Sequence, residues 1–353
     1  MISRDISTGN TRVNITQKLF EGHLSVNEAY SAYRYIVESA TDAEIGAILM
    51  GLKCRTESNE EILGFARAMR DTCFKVVPNI NNELIDTCGT GGDSSGTFNV
   101  STASALVASA AGLFVAKHGN YSVTSRSGSA DVLKALGINI AMDLETVRRS
   151  IEERKFGFML APEFHPAVKR VAHIRRELGF RTIFNILGPL TNPAYPDVQV
   201  VGVYDPKLCE PLANVLNGIG LKRAYVAHGD GLDEFTNTGT TVVSELKGKR
   251  VETYELRPDD FGLEIAKKSS LVGGSPQVNA AIIEGLFEGH VKDRYKLEFL
   301  LLNTGAAISV GTGCSIVEGI EIANDVLEEG IAINKLNELR GDFDVHKGMR
   351  PDL

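Results

Sequence analysis

Residues 89–93 read Gly89-Thr90-Gly91-Gly92-Asp93, and Thr97, Asn99, Val100, Ser101 and Thr102 follow within a few positions. Glycine lets a backbone come close to an anion, and a helix start offers free N–H groups and a positive dipole end. A plain structural turn needs one cap residue, so four small polar residues at one helix start fit a phosphate cradle better. A second run lies close behind: Lys117-His118-Gly119-Asn120, continuing through Tyr121, Ser122, Val123, Thr124, Ser125, Arg126, Ser127, Gly128 and Ser129. Hydroxyls, a lysine and an arginine together suit a multiply charged oxyanion. Two cradles in one βαβ unit can hold one ligand with phosphates at two places. The first lacks the Gly-Lys-Ser/Thr of a Walker A loop and the glycine spacing of a dinucleotide fingerprint.

Three further groups carry potential chemistry. Asp233-Glu234 follows Gly229-Asp230-Gly231-Leu232. Adjacent loop acids are often solvated surface charges, but they are also the hard oxygen ligands that Mg²⁺ prefers on a phosphorylated substrate, and a diphosphate site favours that reading. Arg175 and Arg176 follow Lys169 and Arg170. They form either an exposed basic face or, with one arginine turned inward, a bidentate seat for a carboxylate. His118 is either a backbone-bonded structural histidine or, like Arg175, a substrate-positioning residue. No Ser–His–Asp, Cys–His or zinc spacing appears and no general base is assigned, which points to a reaction driven by positioning and charge stabilisation.

The elements that must hold these residues are legible. Residues 13–75 read as about four short helices. Ser25/Glu28, Thr41/Glu44 and Ser58/Glu61 are capping-box pairs, and apolar residues recur at helical spacing. After Pro78, short β-rich runs alternate with helices, predicting a mainly parallel α/β sheet. Strands are expected at 83–87, 113–117, 156–161, 198–204 and 224–228, with a hairpin over 240–256 turning at Lys247-Gly248-Lys249. Helices at 277–288, 296–310 and 315–329 are expected to cover one face. His165–Leu178 reads as one helix stopped by Gly179, and no strand signal appears before Val198. This excursion is expected to rejoin the N-terminal helices, leaving a cleft. The expected division is residues 1–80 as a helical domain joined by about 165–195, and residues 81–164 with 196–353 as the α/β, phosphate-binding domain.

Bulk properties narrow the function. At 353 residues, 43% hydrophobic and 23% charged, the chain suits a soluble two-domain protein. A net charge of −8 argues against a nucleic-acid partner. Five scattered cysteines without a CxxC pair suggest neither zinc nor disulfides and suit a reducing cytoplasm. Residues 1–14 are polar, so no signal peptide is expected, and no apolar run reaches the ~18 residues of a membrane span.

Taken together, Gly89–Asp93, Asn99–Thr102, Lys117–Asn120, Arg175 and Leu178-Gly179-Phe180-Arg181-Thr182-Ile183-Phe184-Asn185-Ile186-Leu187-Gly188-Pro189-Leu190-Thr191-Asn192-Pro193 resemble the anthranilate phosphoribosyltransferase family over nearly the whole chain. The resemblance implies a nucleoside phosphorylase-like fold, a small helical domain with a large α/β domain, and a homodimer. The implied reaction is transfer of a phosphoribosyl group from 5-phosphoribosyl 1-pyrophosphate to anthranilate in tryptophan synthesis, with Mg²⁺. It implies donor contacts from Gly89, Gly92, Asp93, Thr97, Asn99 to Thr102, Lys117 to Ser125 and Ser129. It implies anthranilate contacts from Gly89, Asn120 and Arg175, and metal contacts from Ser101, Asp233 and Glu234. Association with anthranilate synthase is a further implied possibility. Tyr121 stands where an arginine is expected in many relatives, and Phe235-Thr236-Asn237 replaces a more usual Ile-Ser. The competing readings are a nucleoside phosphorylase of similar architecture and a non-catalytic nucleic-acid-binding relative.

Overall fold

A computed structural model describes residues 8–122, 126–290 and 293–341, with 8–14 as backbone only. Four helices open the chain: α1 (Thr8–Glu21), α2 (Val26–Glu38), α3 (Asp42–Arg55) and α4 (Asn59–Asp71). All three capping boxes form, each hydroxyl accepting from the N3 amide while the N3 glutamate accepts from the cap amide. Glu61 does more than cap. It is fully buried and also accepts from Leu24 N and Arg55 Nη2, which ties the α1–α2 connection to α4.

The chain then alternates as predicted: β1 (Leu84–Gly89), α5 (Val100–Ala110), β2 (Phe114–Gly119), α6 (Ser129–Ala135), α7 (Leu144–Arg154) and β3 (Phe156–Leu160). An excursion of short helices follows: α8 (Ala161–Phe164), α9 (Ala172–Leu178) and α10 (Phe184–Leu187). Next come β4 (Val198–Gly202), α11 (Cys209–Ile219), β5 (Arg223–Gly229), β6 (Thr241–Lys247) and β7 (Arg250–Leu256). The chain closes with α12 (Pro276–Phe287), α13 (Arg294–Thr312), α14 (Ile316–Glu328) and α15 (Ile331–Arg340). The seven strands form one sheet in the order β3-β2-β1-β4-β5-β6-β7. The first five are parallel and the β6–β7 hairpin is antiparallel, with Gly248 at φ +65° in its turn.

Two expectations need correction. His165–Leu178 is not one helix: residues Pro166–Val171 form a 3₁₀ turn and α9 starts only at Ala172. Pro166 lacks the N–H that would extend the preceding turn. Gly179, at φ +67°, does end α9. Nor do the helices end at 329: Gly330, at φ +70°, caps one more, α15.

The core lies on both faces of the sheet. Ile85, Val115, Val198 and Val200 pack on one face against α5 and α13. On the other face Val201, Val203, Ala224 and Val226 join a cluster running through α11 into α2–α4 and taking in Ile174, Ile183, Phe184 and Leu187 of the excursion. The Phe184 ring stands 6.2 Å from that of Tyr33 and 6.3 Å from that of Phe65. Apolar residues of the excursion therefore share one core cluster with the N-terminal helices and α11. Among the described residues no single helix is long and apolar enough to cross a membrane, and all five cysteines are free.

Candidate active site

Strand order reverses between β1 and β4, since β1 leads outward to β2 and β3 while β4 and β5 lie on its other side. In such sheets a crevice opens outside the carboxyl ends of those strands, where ligands bind. Here the two ends are stitched together: Thr90 N donates to Gly202 O at 2.9 Å, and Tyr204 N to Thr90 Oγ1 at 3.2 Å. The loop after β5 lies across them. A methyl group on Gly202 would fall 1.5 Å from Asp233 O, and one on Gly89 would fall 2.4 Å from Asp233 Oδ2. Only glycines let this acidic loop sit on the sheet.

The first glycine loop ends on that carboxylate. Gly91 and Gly92 take φ +67° and +83°, and Gly91 N donates to Asp233 Oδ2 at 2.7 Å. Asp93 Oδ1 accepts from Ser95 N at 3.2 Å. Thr97 pairs with Val272 in an isolated bridge. The Asn99 side chain does not cap α5. Its amide donates to Ser127 O at 3.0 Å and its oxygen accepts from Asn279 at 2.8 Å, so Asn99 locks the two loops and the start of α12 together. Val100 and Thr102 are fully buried, and Val100 N donates to Phe98 O. Ser101 stays half-buried beside Glu234.

In the second loop, Gly119 is required because a methyl group there would meet Ser129 Oγ at 2.1 Å. Ser129 Oγ accepts from Asn120 N at 3.2 Å and donates to Asn120 O at 3.3 Å, which closes the loop on itself. Tyr121 is exposed, and Ser122 N donates to Asp131 Oδ2 at 2.9 Å. Val123, Thr124 and Ser125 lie outside the described residues. Lys117 is not solvent-facing: it is buried, with Nζ donating to Thr87 O at 2.5 Å, and burial pulls its ammonium below the usual lysine range against Asp86, Cys88 and Glu234.

His118 points the other way. Its Nδ1 lies 3.2 Å from Gly188 O, its Nε2 is buried without a partner, and its ring stands 5.1 Å from that of His165. Burial lowers it to about 4, so it is a neutral imidazole at physiological pH. Among the described residues His118 thus has one backbone carbonyl within reach of Nδ1 and no partner for Nε2.

Burial, and then the nearby Asp93 carboxylate, push Asp233 up to about 7; burial and Asp233 push Glu234 well up. Carboxyls crowded in this way favour a cation among them. Among the described residues no three ligating side chains already form a closed cage. Arg175 is half-buried with its guanidinium 5.5 Å from the Phe184 ring centre. Burial alone lowers it, and among the described residues no acid pairs with it. Arg176 is exposed.

Four residues escaped the sequence reading. Arg181 stacks 3.9 Å over the Tyr204 ring and donates to Gly92 O, bridging the excursion to the first loop. Asp86 and His165 are buried polar groups behind the loops, and Gly202 admits Asp233. Arg181 lies inside the quoted 178–193 run and Asp86 three residues before Gly89, and that placement is the signal that points to them.

The switch-point crevice, its glycine loops and its acid pair form a phosphate-binding α/β site, and the comparisons place the chain among the glycosyl transferases. Family models match accordingly: the glycosyl transferase family a/b domain over residues 81–333 and the helical bundle domain over residues 13–73. Anthranilate phosphoribosyltransferase of Methanosarcina barkeri is 49% identical over 92% of this chain and 88% of its own length. That of Haloferax volcanii is 49% identical over 90% of this chain and 96% of its own. Among solved structures, anthranilate phosphoribosyltransferase from Thermus thermophilus superposes at TM-score 0.87 with 39% identity, covering 93% of this chain and 98% of its own. The Saccharomyces cerevisiae enzyme in complex with PRPP and Mg superposes at 0.84 with 29% identity, covering 94% and 97%. The chain belongs to the anthranilate phosphoribosyltransferase family.

Proposed function

We propose that this chain transfers the phosphoribosyl group of 5-phosphoribosyl 1-pyrophosphate to the amine of anthranilate, giving N-(5-phosphoribosyl)anthranilate and pyrophosphate, a step of tryptophan biosynthesis. The observation that carries this reading is the 2.7 Å hydrogen bond from Gly91 N to Asp233, which brings the acid pair against the first glycine loop. Phosphate-binding backbone and hard oxygen ligands then meet at one place.

In this reading Gly89, Gly92, Asp93, Thr97, Asn99–Thr102, Lys117–Ser125 and Ser129 form the donor side. Residues with buried side chains, such as Val100 and Lys117, contribute through backbone or field rather than by direct grip. Asp233, Glu234 and Ser101 hold Mg²⁺, which when bound neutralises charge on the departing pyrophosphate. Gly89, Asn120 and Arg175 receive anthranilate, Arg175 pairing with its carboxylate. Departure of pyrophosphate leaves positive charge at C1 of the ribose, and the loop amides favour the anionic leaving group. The anthranilate amine is uncharged at neutral pH and needs no strong base. Holding the partners in line lowers the barrier by on the order of 7–11 kcal/mol at best.

The helical block with its 165–195 excursion and the α/β remainder act as the two walls of the cleft. A homodimer in the cytoplasm, with anthranilate synthase as a possible associate, completes the proposal.

The test is the loss of anthranilate fluorescence on addition of donor, with and without Mg²⁺. Fluorescence loss that needs both supports the reading. No loss, together with release of free base from uridine or thymidine in phosphate, replaces it with a phosphorylase. Arg175→Ala is expected to raise KM for anthranilate about 10- to 100-fold, the range of one charge-assisted pair. A shift confined to the donor KM removes the Arg175 assignment.

A further inference from the structure

Successive residues of a strand face opposite ways. Because Ile85, Val115, Val198 and Val200 face α5, their neighbours Asp86, Cys88, His118 and Gln199 face the excursion. Asp86 is completely buried there. Its Oδ1 accepts from His118 N at 3.3 Å, and its Oδ2 accepts from Asn192 Nδ2 at 2.8 Å and Gln199 Nε2 at 3.3 Å.

Each donor leads onward. Asn192 Nδ2 also donates to Ala116 O at 2.7 Å, and its oxygen accepts from Ala194 N at 2.8 Å. Gln199 Nε2 also donates to Pro189 O at 2.7 Å. His118 Nδ1 meets Gly188 O. One carboxylate thus gathers the end of β2, strand β4 and residues 188–192. The β2 end leads into Asn120, one proposed end of the acceptor seat, and residues 188–192 close the excursion whose α9 carries Arg175, the other. Asn120 lies two residues past His118, and Arg175 lies on α9, packed over Phe184 just before Gly188.

The three nitrogen partners all donate, and the Cys88 thiol is a further hydrogen-bond partner, so the position calls for a group that only accepts. An asparagine there would turn an NH₂ toward at least one of them and leave a buried donor unmet, a costly fault in a dry network. Of the donor-side residues Asp86 hydrogen-bonds only His118, and only through its backbone amide. The side chains of Thr87 and Lys117 lie on the opposite face of the same strands.

We propose that Asp86 is a positioning residue for the acceptor: its buried carboxylate keeps the β2 end bearing Asn120 in register with the excursion bearing Arg175. The inference rests on the acceptor reading of Arg175 given above.

The experiment measures KM for anthranilate, KM for the donor, kcat and Tm for the wild type, Asp86→Asn, Gln199→Met and Arg175→Ala. Asp86→Asn is expected to raise KM for anthranilate tenfold or more and to lower kcat, with the donor KM within about threefold of wild type. Gln199→Met cuts one branch of the network at similar volume and is expected to give the same pattern at smaller amplitude. It decides the matter if Asp86→Asn does not fold. A purely structural role predicts a lower Tm with unchanged KM values, or equal rises in both, and either result overturns the proposal. If Arg175→Ala raises KM for anthranilate while neither network variant does, only this inference fails. If Arg175→Ala itself leaves that KM unchanged, the acceptor reading fails first.

Discussion

His118 and His165 stand ring to ring behind the second loop, each with a buried Nε2 that has no partner. Burial lowers them to about 4 and about 3, against 6.5 for a free imidazole. The unfolded chain therefore binds protons that the native fold refuses. Their stabilisation is complete above about pH 6.5 and is lost as pH falls toward 4. The loss is about 2 kcal/mol per ring by pH 5. Asp233 works in the opposite direction: raised to about 7 from 3.8, it makes the native state the better proton binder across that interval, so acidification favours folding at that site. Comparing Tm against pH for wild type and His165→Asn separates the two. The variant is expected to show a shallower fall between pH 6.5 and 4.5, and an identical slope would mean the ring is not buried neutral. At this scale the sequence was legible wherever a residue's role is local. Glu28, Glu44 and Glu61 announce their caps by spacing alone. Arg181 and Asp86 act on partners about ninety to over a hundred residues away, and nothing in their immediate neighbours encodes that.

At the scale of elements, alternation of strand and helix was readable because each run is bounded by a cap or a glycine. The 3₁₀ turn at Pro166–Val171 was not, since its apolar spacing mimics the helix that follows. Neither was the demand for Gly202, an apparently ordinary glycine at a strand end. The contact it permits belongs to a loop 31 residues on, where Asp233 O would lie 1.5 Å from an added methyl. Gly202→Ala is expected to retain the far-UV circular dichroism of the fold while lifting the acidic loop off β4. Activity should drop by about 100-fold or more, the scale of a misplaced electrostatic element. Near-normal kcat in that variant would mean the acid pair does not depend on this seat. Gly91 offers the contrast: an added methyl there meets nothing within 4 Å, and only its φ of +67° resists substitution.

For the whole molecule, the main departure from a picture of two independent lobes is the continuity of one core. Leu63 of α4 packs on Gly218 of α11, and Arg67 donates to Gly218 O at 2.8 Å. The apolar cluster there runs unbroken from α2 to β5. Thermal unfolding followed at 222 nm and by calorimetry is expected to show one transition. Gly218→Val, which crowds Leu63, should lower that single Tm without splitting it. Two separated transitions would mean the helical block folds on its own. The sequence indicated the excursion only by the absence of a strand signal. Its docking depends on Phe184 meeting Tyr33 and Phe65, a contact across about 120 to 150 positions that no local pattern records.

The alternation along β1, β2 and β4 has an evolutionary corollary. The Thr87 and Lys117 side chains bond on one side of these strands and those of Asp86, His118 and Gln199 on the other, so neighbouring codons answer to different surroundings. Under the proposed acceptor reading, mutations that remodel the pocket for a new aromatic nucleophile can accumulate on one face of these strands while Thr87 and Lys117 on the other keep their contacts. This scaffold is accordingly suited to diversification in what it glycosylates rather than in what it glycosylates with.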